Sequence, residues 1–412
     1  TRPIMALIVQ KYGGSSVGTI DRIRNVARRL IEVKKEGNKI MAVISAMSGV
    51  TDKLIGLAHQ VMDNPPEREL DMLLATGEQQ SIALLCMAIT DMGYKAMSFT
   101  GQQAGVCTYG SHTRGRIHSI DPKRVLQALE DDYIVVCAGF QGVTVDGTIH
   151  TLGRGGSDLS AIAMAAAVNA DLCQIFTDVD GVYSCDPRVV KDARKISVLS
   201  YEEMLEMASS GSKVMQARSV EFAKKFGVVF EVRNSMNNNP GTIVQEETSA
   251  MESLAVRGVS IERNQARVTV SGITAPVAYT AVILSALSDA EINVDMIVAN
   301  TAHDGQARQS FTMNMNDLGA AQAALKKVLP QLGEKARLET EAGLAKLSVV
   351  GVGMRSHTGV AATMFQALAD AGIATGMIAT SEIRISTTVE AGDIEQAARV
   401  VHSAFHLDQV NA

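Results

Sequence analysis

Tryptophan is absent from the 412-residue chain, aromatic residues make up 4% of it, and basic residues do not outnumber acidic ones, at 38 against 44. Without basic clusters or stacking platforms, nucleic-acid binding is not expected. Charged residues are few at 20%, yet no uninterrupted apolar run reaches the roughly 18 residues that cross a bilayer, and the N-terminal TRPIMALIVQKYGG lacks the layout of a signal peptide. The expectation is a cytoplasmic protein with no membrane partner. Five cysteines (Cys86, Cys107, Cys137, Cys173, Cys185) form an odd set without C-x-x-C spacing, which points to neither a disulfide framework nor a zinc site. His402 and His406 alone have the i,i+4 spacing of metal ligands, and no third ligand accompanies them, so no metal site is expected in the protein itself. The G-x-x-x-x-G-K-[ST] loop of P-loop enzymes does not occur.

What is present is hydrophobic content of 46%, enough for two to three domains with their own cores. Up to about Gln245 the chain alternates short β-rich runs with helical patterns. Ala6–Gln10 leads through Lys11-Tyr12-Gly13-Gly14-Ser15-Ser16 into a helix over Ile20–Lys35, and Lys39–Ser45 leads through a small-residue turn into a helix beginning at Lys53. Glu67–Met92 reads as a long helix, in which Thr76-Gly77-Glu78 looks like a tolerated flaw. Further strands are expected at Lys95–Phe99, Tyr133–Ala138, Asp171–Phe176 and Val228–Val232, and helices at Tyr201–Ser209 and Met215–Phe226. This order specifies a mainly parallel sheet covered on both faces, where ligands collect at the carboxyl ends of the strands.

The stretch Thr151–Asp158, TLGRGGSD, is the centre of that half. Gly153, Gly155 and Gly156 let main-chain N–H groups turn toward an anion, Arg154 adds a guanidinium, and Ser157 and Asp158 open a helix whose positive end faces the same place. The alternative is a glycine turn that merely caps the helix. The acids in Thr177-Asp178-Val179-Asp180-Gly181-Val182-Tyr183, just past a strand end, suit handling of a nucleotide or Mg²⁺, whereas Asp186-Pro187-Arg188 fits equally a surface ion pair.

Beyond a polar connector at 246–252 the texture changes and repeats. Ala286–Ile297 and Ala367–Ile378 match at seven of twelve positions, 81 residues apart. Each sits in a βαββαβ order, the second copy lacking its last strand, which Ser253–Ile261 could supply. The expected division is a first domain over 1–245, one small unit over 265–340, and a second built from 253–264 and 341–412 into which the first is inserted.

Taken in order, KYGGSSV, TGE, TLGRGGSD, TDVDGVY, the GSK at Gly211–Lys213 and the paired small units resemble an aspartate kinase, an amino-acid-kinase domain followed by two ACT units. Many members carry Phe and Thr where this chain has Tyr12 and Ser15, and Pro where it has Thr358. The resemblance implies a three-layer α/β sandwich with two ferredoxin-like units. It also implies transfer of the γ-phosphoryl group of MgATP to the β-carboxylate of L-aspartate, the first step of aspartate-family amino-acid biosynthesis. Lys11, Arg154, Asp158 and Lys213 would be catalytic. Lys11, Gly13, Gly14, Ser15, Ser157, Thr177, Asp178, Tyr183, Asp186, Arg188 and Lys213 would hold ATP, and with it Mg²⁺. Ser45, Thr51, Glu78, Arg154, Gly155, Gly156 and Ser157 would bind aspartate. Lysine and/or threonine would inhibit through Ile292, Asn293, Asp295, His357, Thr358, Gly359, Val360, Thr380, Ser381 and Glu382; these could instead be polar strand-edge residues without a ligand. The same resemblance implies a homo-oligomer through the ACT units, with a shorter regulatory subunit from a second start at Met251. Another carboxylate kinase of the same fold, or an amino-acid sensor with an inactive kinase fold, are the alternative functions.

Overall fold

The computed structural model describes residues 6–211, 214–248, 254–274, 278–301 and 306–409. Its first half is built on β1 (Leu7–Tyr12), β2 (Lys39–Ile44) and β3 (Ala96–Phe99), with helices α1 (Ile20–Lys35), α2 (Val50–Val61) and α3 (Glu67–Asp91) between them. After β4 (Val106–Tyr109), β5 (Arg116–Ile120) and α4 (Lys123–Glu130) come β6 (Ile134–Ala138), β7 (Gln141–Val143), β8 (Ile149–Thr151), α5 (Gly156–Ala167) and β9 (Leu172–Thr177). The half closes with β10 (Val198–Ser200), α6 (Tyr201–Ser209), α7 (Ala217–Phe226), β11 (Phe230–Asn234) and β12 (Thr242–Gln245).

Eight of these strands form one sheet in the order β10-β12-β11-β9-β1-β2-β6-β3, parallel except for the β11–β12 pair. β2 and β6 are buried almost residue for residue, as strands covered on both faces must be. One face packs Ile23, Leu30, Ile82 and Leu85 of α1 and α3; the other packs Ala161, Ile162, Ala165 and Val220 of α5 and α7. Apolar burial on both faces is the main source of stability here.

A second sheet, β5-β4-β7-β8, packs against α3 and α5. β7 and β8 pair antiparallel as a hairpin across the turn at 144–148. β4 and β5 are short and half exposed, so they carry no clear apolar alternation. α3 interrupts its apolar stretches with polar and charged residues. It is the one described helix long and apolar enough to cross a bilayer, yet it lies against α1 and buries Asp71 and Glu78.

The second half contains β13 (Gly258–Ile273), α8 (Tyr279–Asp289), β14 (Val298–Thr301), β15 (Ala307–Asn314) and α9 (Leu318–Leu332). It continues with β16 (Arg337–Val350), α10 (Val360–Asp370), β17 (Ile378–Thr380), β18 (Arg384–Glu390) and α11 (Ile394–Ala404). The sheet order is β14-β15-β13-β16-β18-β17. Residues 258–273, expected as two separate segments, form one strand. Its first part pairs with the end of β16, beside β18, while its second part lies between β15 and the start of β16. Register shifts between Glu262 and Arg267, with Asn264 at φ +66°, mark the change of partners. Two four-stranded units thus share their long strands in a single sheet.

Candidate active site

The loops after β1, β2, β6 and β9 meet at the carboxyl edge of the main sheet. Lys11, the penultimate residue of β1, places its Nζ 2.7 Å from Asp158 Oδ1 in the first turn of α5, and both side chains are nearly buried. Gly155, at φ +67°, is the N-cap of that helix, and Gly153 at φ +76° makes the preceding turn, conformations that suit glycine. A Cβ on Gly14 would come within 2.9 Å of Ala46 O, so the first two loops touch through backbone. Ser45 Oγ donates to Ser157 Oγ at 2.8 Å, bridging the β2 loop to α5. Gly13 and Ser15 flank Gly14 in the same tight turn, where Ser16 N donates to Gly13 O. Lys11, Gly13, Gly14, Ser15, Ser45, Gly155, Gly156, Ser157 and Asp158 therefore belong to one locality.

Glu78 joins them from α3. It is 4% exposed, its Oε1 accepts from Ala46 N at 3.0 Å, and its Oε2 has no hydrogen-bond partner. Burial, opposed by backbone hydrogen bonds, pushes its carboxyl up to about 7. The adjacent Gly77 is closely packed: a Cβ would lie 3.0 Å from Ala46 Cβ and 3.4 Å from Val50 Cγ1. Thr51 is half-buried in the first turn of α2. Arg154 is exposed and has no ion pair among the described residues.

The segment after β9 is more open. Thr177 Oγ1 donates to Asp178 at 3.1 Å, and Asp178 is exposed. Tyr183 forms an isolated bridge with Lys195, and burial raises its hydroxyl. Asp186 and Arg188 pair with one another at 2.8 Å, Arg188 standing almost fully exposed. Lys213 lies outside the described residues, as does Met251.

One contributor, Arg218, was not singled out from sequence, and Asp180, read there among the acids past the strand end, ties that loop down. Asp180 accepts from Asn234 and Asn237 at 2.6 and 2.8 Å, which hold its carboxyl below the usual range and tie the acidic loop to the end of β11. Arg218 on α7 donates to Leu152 O at 3.1 Å and Gly115 O at 2.9 Å, bracing the arginine loop from below. An acid within a polar run and a basic residue on an amphipathic helix carry no local signal of such roles.

In the second half, His357, Thr358 and Gly359 are exposed before α10, and Val360 is buried at its start. Thr380, Ser381 and Glu382 are exposed at the β17–β18 turn, joined to that loop by Arg355 Nε, 3.4 Å from Glu382. In the other unit Ile292 is buried and Asn293 exposed. Asp295 is already paired with the buried Lys346, which Glu262 also contacts at 2.7 Å.

Residues 6–234 match the model of the amino acid kinase family, and residues 347–405 match that of an ACT domain. The chain is 47% identical over 406 residues to the aspartokinase of Pseudomonas aeruginosa, covering 98% of each. It superposes on E. coli aspartokinase III in complex with aspartate and ADP, the R-state, with a TM-score of 0.79 at 24% identity, covering 97% of this chain and 99% of that one. The T-state complex of the same protein with lysine and aspartate gives 0.74, at 24% identity and the same coverage.

Proposed function

The chain belongs to the aspartokinases of the amino acid kinase family and carries ACT regulation, and from that premise we propose that it transfers the γ-phosphoryl group of ATP to the β-carboxylate of L-aspartate, giving 4-phospho-L-aspartate and ADP. The observation that carries the reading is the convergence of Lys11, Asp158, the Ser45–Ser157 pair and Glu78 on one strand edge.

Aspartate's β-carboxylate, with a pKa near 3.9, is ionised at neutral pH, so it attacks phosphorus without a general base. What the reaction needs is positive charge, because two anions approach and charge spreads over the equatorial oxygens. Lys11 supplies it, oriented by Asp158, with the α5 N-terminus and the N–H groups around Gly13, Gly14 and Ser15 aimed at the phosphates. Lys213 adds a second cation in this reading. Arg154 takes the α-carboxylate, while Glu78 takes the α-ammonium with Ser45 and Thr51 beside it; Gly155, Gly156 and Ser157 line the same pocket. Thr177, Asp178 and Tyr183 border the nucleotide, with the Asp186–Arg188 pair at its outer edge. Mg²⁺, when bound with ATP, neutralises phosphate charge. Asp158 is engaged by Lys11, and in this reading the cation is held mainly by phosphate oxygens.

Lysine and/or threonine are the proposed inhibitors; the lysine-bound T-state of a structural relative supports the first. A homo-oligomer through the ACT units, a shorter regulatory chain from Met251 and a cytoplasmic location complete the proposal. The test is ADP release over a panel of amino acids with Mg²⁺, repeated with lysine and threonine added. Turnover of N-acetylglutamate or a nucleoside monophosphate above that of aspartate would overturn the reading.

A further inference from the structure

Asp71 lies on α3 seven residues before Glu78, two helical turns along the same face, and is fully buried. Its carboxylate accepts from Thr113 N at 3.1 and 3.0 Å, from His112 Nδ1 at 2.7 Å and from Thr151 Oγ1 at 2.5 Å. His112 and Thr113 sit in the turn between β4 and β5. Thr151 ends β8, three residues before Arg154. The same root is held on its other sides by Gly115 N donating to Thr151 O at 2.8 Å and Leu152 N donating to Phe140 O at 2.9 Å. A buried carboxylate with four hydrogen bonds to one hairpin and one loop root is an expensive group to keep unless its geometry matters.

We propose that Asp71 is a positioning residue for amino-acid recognition. Resting on the functional reading above, α3 then carries both poles of the substrate clamp. Glu78 takes the ammonium directly, and Asp71, through Thr151, sets where the loop bearing Arg154 meets the carboxylate. The spacing between the poles is fixed by two turns of rigid helix, about 10 Å of rise. Apart from the α5 N-terminus, into which the same loop runs, the nucleotide contacts proposed above come from the β1 and β9 loops and Lys213, so loss of Asp71 acts on aspartate far more than on the nucleotide.

The experiment compares Thr151→Val and Asp71→Asn with the wild-type enzyme. Thr151→Val leaves the buried carboxylate and its other partners in place, so it decides the matter even if Asp71→Asn fails to fold. Loss of a hydrogen bond to a charged group should raise the aspartate KM about ten-fold. The ATP KM should stay within about two-fold and saturated kcat within a few-fold. Amide hydrogen exchange over residues 152–156 should quicken in Thr151→Val whatever the substrate. An unchanged aspartate KM in Thr151→Val, or parallel changes in ATP KM and kcat, overturns the inference. If the wild-type enzyme does not phosphorylate aspartate at all, the functional reading fails instead, and unaltered exchange over 152–156 then disposes of Asp71 separately.

Discussion

The ammonium of Lys11 and the carboxylate of Asp158, 2.7 Å apart, join the end of β1 to the first turn of α5, so the cation nearest the proposed phosphoryl path is held by a partner on the opposing element. Asp158 gives Lys11 direction but also competes for its charge. At an effective dielectric near 20, a lysine about 4 Å from the migrating phosphoryl oxygens is worth roughly 4 kcal/mol per charge pair before desolvation. Lys11→Ala should therefore lower kcat by two to three orders of magnitude while leaving the aspartate KM within a few-fold. Asp158→Asn should lower kcat less, because the cation remains but loses its orientation. Steady-state ADP release measures both, and an unchanged kcat in Lys11→Ala removes it from this role.

Glu78 makes the enzyme's response to pH predictable in sign. Burial holds its carboxyl protonated below about 7, and only the carboxylate can accept an ammonium. With aspartate kcat/KM plotted against pH, the expected profile rises about ten-fold per unit up to pH 7 and then flattens. Glu78→Gln should weaken aspartate binding and flatten the rise. Stability moves the opposite way. The folded pKa lies above the unfolded 4.5, so the contribution of this group is present below pH 4.5 and lost as pH rises through 7. Glu78→Gln should then raise the Tm of the ligand-free protein at pH 8 and leave it nearly unchanged at pH 4, the difference being at most about 3 kcal/mol. Equal Tm values at pH 8 would contradict the raised pKa.

Gly77 tests the contact between α3 and the β2 loop. Alanine is favoured over glycine in a helix by about 1 kcal/mol, yet here its Cβ would press on Ala46 and Val50, and Ala46 N is the donor that holds Glu78. Gly77→Ala should destabilise the fold by about 1–2 kcal/mol net, since overpacking outweighs the helical gain. It should also raise the aspartate KM. A more stable variant with wild-type KM would show that the loop yields freely.

How much of this was legible depended on how each residue's role is encoded. β1, β2 and β9 announce themselves because strands buried on both faces are continuous apolar runs, and the glycines after them mark the ligand edge. β4, β5, β10 and β12 are three to five residues long and partly exposed, which leaves no period to read. Lys11 and Arg154 stand inside glycine motifs, which is what draws attention to them in the sequence. Asp71 looks like a solvated carboxylate on a helix, and only the packing of the β4–β5 turn over it reveals a buried one. The continuous β13 was divided in the sequence because Glu262, Arg263 and Asn264 interrupt the alternation at the place where the strand changes partners. The ion pair of Asp295 with Lys346 joins positions 51 residues apart and has no local signature.

The last prediction concerns how the ACT units reach the kinase half. Val352 N, in the loop before α10, donates to Glu203 Oε1 at 3.1 Å, and Glu203 closes the capping box at the start of α6 with Ser200. Arg355, three residues on, pairs with Glu202 at 2.8 Å, Glu247 at 3.0 Å and Glu382 at 3.4 Å. α6 ends at Ser209, and two residues on, at Gly211, a Cβ would lie 2.2 Å from Ile261 O on β13. A ligand that moves the Val352–Gly359 loop or the β17–β18 turn therefore acts directly on α6, which precedes the GSK motif in the sequence. Glu382 is largely exposed and is one of three carboxylates on Arg355, so Glu382→Ala should change uninhibited turnover little, exposed pairs being worth under about 1 kcal/mol. In Ser381→Phe the turn survives, because it is the backbone N of Ser381 that donates to Arg384 O. Both variants should keep near wild-type activity without effector and lose sensitivity to lysine or threonine. The loss should fall within the ~5- to 150-fold range of ordinary allosteric coupling. Aspartate turnover titrated with each amino acid decides the point: if both variants remain fully inhibitable, the effector binds away from this turn.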